Sequence, residues 1–352
     1  MTILDEADKL RRAQEKLEGI ELERLIRAYA RINDAAAERI DALVEKIVLE
    51  FEKTGVYPSK SQIQRMNRYK DLMTMIEREL QDYEAFLRVE LRTAGSLALA
   101  AGEKDSRFLI EYALQEAGAG RVALNPLNTA QIEKLVGFLS PDGPLYKRLG
   151  ELSSWTAEQV ANTILEGIGL GLNPKTTARM LTKTLTDGVV KKLGMALTDA
   201  LRTMRTVQLW SYREASRATY VEHEDIVPGW VWYADLGGDV CMGCVAMHGT
   251  EHTNNETLDD HYNGHCTMLP HVLGAANPVK VSGERWFNAQ PEAKQREMMG
   301  PGKYDAYKGG AFKFSELAKK HDDETYGSMT VETPLWELLG AEPPLRIDQD
   351  EE

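Results

Sequence analysis

Residues 228–244 read PGWVWYADLGGDVCMGC, and the chain changes texture across this stretch. Trp230 and Trp232 alternate with apolar neighbours until Gly237-Gly238, the pattern of a strand running into a turn. Upstream, long segments carry helical spacing. Downstream to about Pro278, glycine, asparagine, threonine and aspartate punctuate short apolar runs, which predicts short strands and loops. A boundary therefore falls near Glu224, and helix is predicted again in QPEAKQREMMG (290–300) and SELAKKHDD (315–323). The expected fold class is mainly α with a small α+β Cys/His-rich domain. Its parts are a long helical hairpin region over 1–120, a helical middle region over 121–224, the small domain over 225–340 and an acidic tail over 341–352. The tail ends in RIDQDEE, a composition that predicts disorder.

Working back toward the start, Asp5 to Lys53 contains no proline and one glycine, Gly19. Apolar residues there recur at threes and fours (Leu25, Tyr29, Ile32, Ala36, Ile40, Leu43, Ile47), which predicts one long amphipathic helix. TGVYPSK (54–60) breaks it, and Ser59 or Ser61 can cap a second helix through Leu72, Ile76, Leu80, Tyr83 and Leu87 to about Ala101. A further helix is expected over 105–118, and Asn128 with Gln131 forms a capping-box pattern. SPDGP (140–144) and LNP (172–174) then frame two shorter helices, with Asn173 as cap and Pro174 in the first turn. GIGLGLNPK (167–175) is no phosphate loop, since no strand precedes it and no Gly-Lys-Ser or Gly-Lys-Thr closes it.

One region departs from the acidic whole. The 352-residue chain has net charge −13, whereas Lys175–Arg217 holds nine Lys and Arg against Asp187, Asp199 and Glu214. Arg202, Arg205, Arg213 and Arg217 fall on a predicted helix over 197–223, in pairs spaced three and four apart so that each pair shares a face. They either pair with the acidic remainder or meet an anionic partner such as DNA or an acidic protein face. The overall charge argues against a chain that coats nucleic acid along its length. No stretch has the roughly 20 apolar residues of a membrane span. The start lacks the basic-then-apolar order of a signal peptide, so a chain made and kept in the cytoplasm is expected.

Only three cysteines are present, and all fall in CMGCVAMHGT (241–250) and HYNGHCTMLP (261–270). A cluster of this kind fits a reduced metal or thiol site better than disulfides. Cys241 and Cys244 have the spacing by which a tight turn aims two thiolates at one ion. Cys266 and His261 complete a set of three thiolates and one imidazole, the closed type used structurally by zinc. His265 is an alternate ligand, and His248 and His252 lie near in sequence. The bland alternative is three reduced, buried cysteines with histidines in an exposed loop. A catalytic zinc needs an open position and a base; Glu251, Asp259 and Asp260 could supply one, but nothing fixes their geometry. The His-x-Glu and Pro-Cys-x-x-Cys elements of zinc deaminases are absent. Between Asp235 and His271 there are six acidic residues and no Lys or Arg, a field that repels a nucleic-acid backbone and disfavours a nuclease.

The order of these features resembles the phage Mu F-like head morphogenesis family of minor capsid proteins. There a strand ending in aspartate leads to Cys-x-x-Cys, a glycine turn, and a His-x-x-Cys-Arg-Cys element before a proline. Asp239, Cys241, Cys244 and Gly249 match the first part, and His261, Cys266 and Pro270 the second. Gly264 stands where the family has its first downstream cysteine, and His265 where it has arginine. Weaker similarity spans roughly Ala157 to Lys320, with Trp286, Gln290, Gln295 and Met299-Gly300 in its later part. The resemblance implies a low-copy virion protein and not an enzyme. It would join the portal protein and other capsid or scaffold proteins during procapsid assembly in the host cytoplasm, and meet phage DNA at packaging or ejection. Two other readings remain: a zinc-dependent hydrolase or nuclease using Cys241, Cys244 and Cys266, and a DNA-binding module using the basic helix.

Overall fold

The computed structural model describes residues 2–120, 122–128, 144–170, 178–237, 240–261, 264–323 and 327–342. The Gln131 half of the capping box, Asn173-Pro174, Asp239 and the RIDQDEE tail lie outside these. The chain is mainly helical, with a small antiparallel sheet beside the Cys/His-rich segment, as its fold class was expected to be. In order, the first part comprises α1 (Ile3–Thr54), α2 (Lys60–Arg65), α3 (Asn67–Glu116), α4 (Pro144–Leu170) and α5 (Ala178–Glu222). The later part comprises β1 (Gly229–Tyr233), α6 (Met242–Met247), β2 (Glu251–Thr253), β3 (Thr267–His271), α7 (Gly283–Asn288), α8 (Glu292–Met299), α9 (Pro301–Lys308), a 3-10 turn (Phe314–Leu317), β4 (Ala318–Asp323), β5 (Gly327–Glu332) and α10 (Leu335–Leu338).

Two compact units are built from interleaved segments. One comprises Lys16–Gly95 and Gly137–Gln208. Here the stripe of α1 read from the sequence is buried throughout, from Leu25 to Ile47, and Leu72, Ile76, Leu80, Leu87 and Leu91 of α3 are buried with it. Tyr29 and Tyr83 meet edge-to-face with centroids 4.7 Å apart. Arg24 reaches Glu90 at 2.9 Å. Ser59 is the cap at the break, with Gln62 answering it in a capping box, and the extended backbone of Met66 separates α2 from α3.

The other unit comprises Met1–Glu15, Ser96–Val136 and Leu209–Glu352. The sequence suggested a break near Ala101 and two helices between Lys175 and Glu224; α3 and α5 instead run unbroken. Neither segment contains proline, and a lone glycine weakens a helix by only about 1 kcal/mol. Gly102 in α3 has a packing reason: a Cβ there would stand 2.3 Å from the Tyr212 carbonyl oxygen of α5. Tyr212 also donates to Asp105 at 3.2 Å.

In the same unit β1 is the middle strand of a sheet ordered β2-β1-β3, antiparallel throughout, with Trp230 opposite His252 and Pro270. Both faces of β1 are covered, so Trp230, Val231 and Trp232 are all buried, packed with Ile3, Leu109, Ile110, Tyr220 and Leu269. A second apolar cluster joins Met242 and Val245 of α6 to Phe287, Met299, Tyr304 and Phe314. The helix predicted over 315–323 is not formed. Residues 318–323 are strand β4, paired with β5 from Ala318↔Glu332 to Asp323↔Gly327. AKKHDD has no apolar stripe to hold a helix against a core, so the partner strand, with buried Met329 and Thr330, decides its conformation.

Candidate metal centre

Cys241 caps α6, and its sulfur accepts the backbone N–H of Cys244 at 3.3 Å. The two intervening residues thus turn both sulfurs to one side. Residues 259–261 and 264–266 return to the same place, because the Thr330 N–H of β5 donates to the Asp259 carbonyl oxygen at 2.5 Å and Asp260 bridges to Thr330. Two overlapping triads result: Cys241, Cys244 and His261, and Cys244, Asp260 and Cys266, with all donor atoms of each within 4.8 Å of one another. Cys241 Sγ and His261 Nε2 are 3.2 Å apart. A tetrahedral ion with bonds of ~2.3 Å to sulfur and ~2.0 Å to nitrogen has donor–donor edges of roughly 3.5–3.8 Å. Cys241, Cys244, His261, Asp260 and Cys266 therefore lie close enough to hold a metal ion.

All three cysteines are free thiols, Cys244 and Cys266 buried and Cys241 partly exposed. Among the histidines, His261 joins the cluster and His265 does not: its Nδ1 lies 3.6 Å from Glu15. His252 stacks on Trp230 at 4.3 Å between Thr250 and Glu256. His248 accepts the Ala234 N–H on Nδ1 at 3.1 Å, and burial pushes its pKa down to about 4.

Asp260, which the sequence offers only as one of three candidate bases, is the hub of the cluster. Its Oδ1 accepts from the Cys244 thiol at 3.3 Å and the His261 N–H at 2.8 Å. Its Oδ2 accepts from the Cys266 N–H and from Arg213 Nη2, each at 3.1 Å. Arg213 is 5% exposed and also donates to the carbonyl oxygens of Gly264, at 2.8 Å, and Cys266, at 2.9 Å. Burial alone would raise the Asp260 carboxyl, but Arg213, then His261 and the Cys266 amide, bring it below the usual carboxylate range. Gly264 owes its identity to the same carboxylate: a Cβ there would stand 2.1 Å from Asp260 Oδ2. The volume that a side chain at 264 would need is filled by Asp260.

The four arginines that could either pair with the acidic remainder or meet an anionic partner all make ion pairs within the chain. In one unit Arg202 pairs with Asp199 at 3.2 Å and Arg205 with Glu18 at 2.6 Å. In the other, Arg217 pairs with Glu214, and Arg213 is buried on the thiol cluster. Spacing on the helix gave no sign that Arg213 faces inward. The field around Asp235–His271 also differs from expectation, because Arg213 and Lys320, which reaches Asp259 at 2.9 Å, bring positive charge from distant segments.

The cluster favours thiolates unequally. Cys241 is pulled down to about 5 by its hydrogen bond with Cys244 and by His261, against burial. Cys244 is raised by its hydrogen bonds with Cys241 and Cys266 and by burial, and Cys266 is raised by burial. A divalent ion reverses this order, since a coordinating thiol is deprotonated outright. The surroundings suit that state. The buried Nη1 of Arg213 has no hydrogen-bond partner, and the charge of Arg213 and the Trp232 indole favour the Cys266 thiolate. Buried donors of this kind fit a metal–thiolate group better than three neutral thiols.

Comparison of the chain with family models, with curated proteins and with solved structures gives no match. Among the described residues no helix is long and apolar enough to cross a membrane.

Proposed function

We propose that this chain is a structural minor head protein of a tailed phage that joins the portal during procapsid assembly, and that its thiol cluster holds one structural zinc ion. Cys241, Cys244, His261 and Cys266 would be the ligands, and the ion would supply a cross-link between α6 and the loop leading into β3. Asp260 and Arg213 would orient that loop from outside the ligand set. The resemblance over roughly 157–320 supplies the class. The observation that carries the choice against a hydrolase is the full commitment of Asp260, with both oxygens already accepting hydrogen bonds and none left to activate water. The basic helix also supports a structural reading over a DNA-binding one, because its four arginines are paired or buried.

The site belongs where it is. Among the described residues of 234–266 short elements carry the chain, and a metal link can hold what a small apolar core would otherwise hold. Placement in the virion, contact with other capsid or scaffold proteins, and contact with phage DNA at packaging or ejection go with the same proposal. The test is co-expression with a portal protein from the same source as this chain, followed by co-sedimentation and by metal analysis of the purified protein. A stable complex and one zinc per chain are expected. Two well-folded proteins that do not associate would overturn the assembly reading, and metal-dependent turnover of a phosphodiester or peptide would establish the hydrolase instead.

A further inference from the structure

We infer that the thiol cluster is a redox switch, in which Cys241 and Cys244 close into a disulfide and release the ion when the chain meets a low-molecular-weight disulfide. The inference deepens the metal-site reading, but its covalent step rests on the thiols alone. Among the three cysteines only Cys241 is partly exposed, so it is the residue on which a soluble disulfide would act first. Cys244 stands directly beneath it, its backbone N–H on the Cys241 sulfur at 3.3 Å and its own sulfur within 4.8 Å. Cys266 is buried, shares a triad with Cys244 and not with Cys241, and has its N–H fixed to Asp260. The arrangement therefore separates an attacking thiol, a resolving thiol and a third one kept apart from the exchange.

The chemistry balances as follows. Cys241 sulfur attacks one sulfur of the disulfide RSSR; the S–S bond breaks, one RS group stays on Cys241, and the other leaves as RSH with the Cys241 proton. His261 Nε2, 3.2 Å from that sulfur, is placed to pass the proton on. Cys244 sulfur then attacks Cys241 sulfur. The Cys241–SR bond breaks, and the second RS group leaves as RSH with the Cys244 proton. Two protein thiols are oxidised and one RSSR is reduced to two RSH. From the metal-loaded state the ion leaves as a free cation, and three protons from water go to the two departing RS groups and to the freed Cys266. With two ligands gone, His261 and Cys266 cannot hold the ion, so the cross-link to β3 is lost.

The experiment uses the full chain, purified with its metal, and glutathione disulfide as the probe. Aliquots are quenched with iodoacetamide and mapped by peptide mass spectrometry, while a chromophoric chelator reads the free ion. A parallel arm uses protein stripped by chelator. We expect a Cys241–Cys244 disulfide, an alkylated Cys266, and one ion freed per disulfide, all reversed by dithiothreitol with added zinc. Cys266→Ser should leave disulfide formation intact, and Cys244→Ser should stop at a stable glutathione adduct on Cys241. A disulfide involving Cys266, or a wild-type adduct on Cys241 that never resolves, would overturn the switch. So would resistance of Cys241 in both arms. If the purified chain holds no metal and yet forms the disulfide, the zinc reading fails and the switch stands; a metal-loaded chain in which no disulfide forms gives the reverse.

Discussion

Replacing Arg213 with methionine removes the guanidinium that pairs with Asp260 while keeping most of the volume of the side chain. Asp260 has no solvent exposure, and it would be left as a buried carboxylate with three of its four hydrogen bonds. The carbonyl oxygens of Gly264 and Cys266 would lose their donor as well. Breaking a buried pair from one side destabilises by about 3–5 kcal/mol, against a total stability of roughly 5–15 kcal/mol for a domain. At about 2 kcal/mol per M of urea, the unfolding midpoint falls by roughly 2 M. The readout is hydrogen exchange of the β1 and β3 amides along a urea series, which reports the unit that contains Asp260. Asp260→Asn in the Arg213→Met background completes a double-mutant cycle and should recover part of the loss, because the uncompensated charge is then gone. A midpoint within about 0.5 M of wild type for Arg213→Met alone would refute the reasoning, since no buried ion pair could be broken so cheaply.

Gly264→Ala should destabilise by about 1–3 kcal/mol, because its Cβ would land 2.1 Å from Asp260 Oδ2; an unchanged melting temperature would show that the carboxylate is not held there. His248 makes stability fall with acid. Its folded pKa of about 4 lies below the ordinary value near 6.5, so above that value neither state is protonated and the residue contributes nothing. As pH falls toward 4 the unfolded chain takes a proton that the folded one refuses, a loss of about 3 kcal/mol. His248→Asn, which keeps an acceptor for the Ala234 N–H, should flatten that part of the stability curve, and equal slopes for both proteins would refute the assignment. Leu43→Ala, at a fully buried position in α1, should cost about 2–5 kcal/mol in urea unfolding, whereas Leu17→Ala, at an exposed one, should stay within about 0.5 kcal/mol.

The parts of the fold that could be read early are those where burial follows a fixed period. Leu25 to Ile47 gave α1 because every residue of the stripe is buried, and Trp230 with Trp232 marked the central strand because aromatic residues at period two fit a covered sheet. The break at Ser59 was legible through its own capping chemistry. What failed has a common cause. Residues 318–323 have no period, so a strand partner from further along the chain set their conformation. The continuation of α3 past Ala101 depends on Gly102 meeting Tyr212, a contact between residues more than a hundred positions apart.

The candidate site divides the same way, and the division says what the site is for. Cys241, Cys244, His261 and Cys266 announce themselves because metal ligands are restricted in type and spacing, and they converge. Asp260 and Arg213 do not, since an aspartate in an acidic loop and an arginine on a basic helix each look like solvated charge until the fold brings them together. Their pairing explains two features at once that the spacing left unconnected. It accounts for a glycine at 264, where the resembling family has a cysteine, because the carboxylate occupies that space. It also accounts for the inward-facing Arg213 on α5, because only a guanidinium can reach Asp260 and the carbonyl oxygens of Gly264 and Cys266 together. Lysine, with a point charge in place of a planar fork, should not replace it. Arg213→Lys is therefore expected to retain the ion pair but lose the hold on the loop, so that affinity for the proposed zinc ion falls by about 10–100-fold, as it does for residues that support metal ligands from outside. Competition with a chromophoric chelator measures this directly, and wild-type affinity in Arg213→Lys would mean that the loop positions its ligands without help from α5.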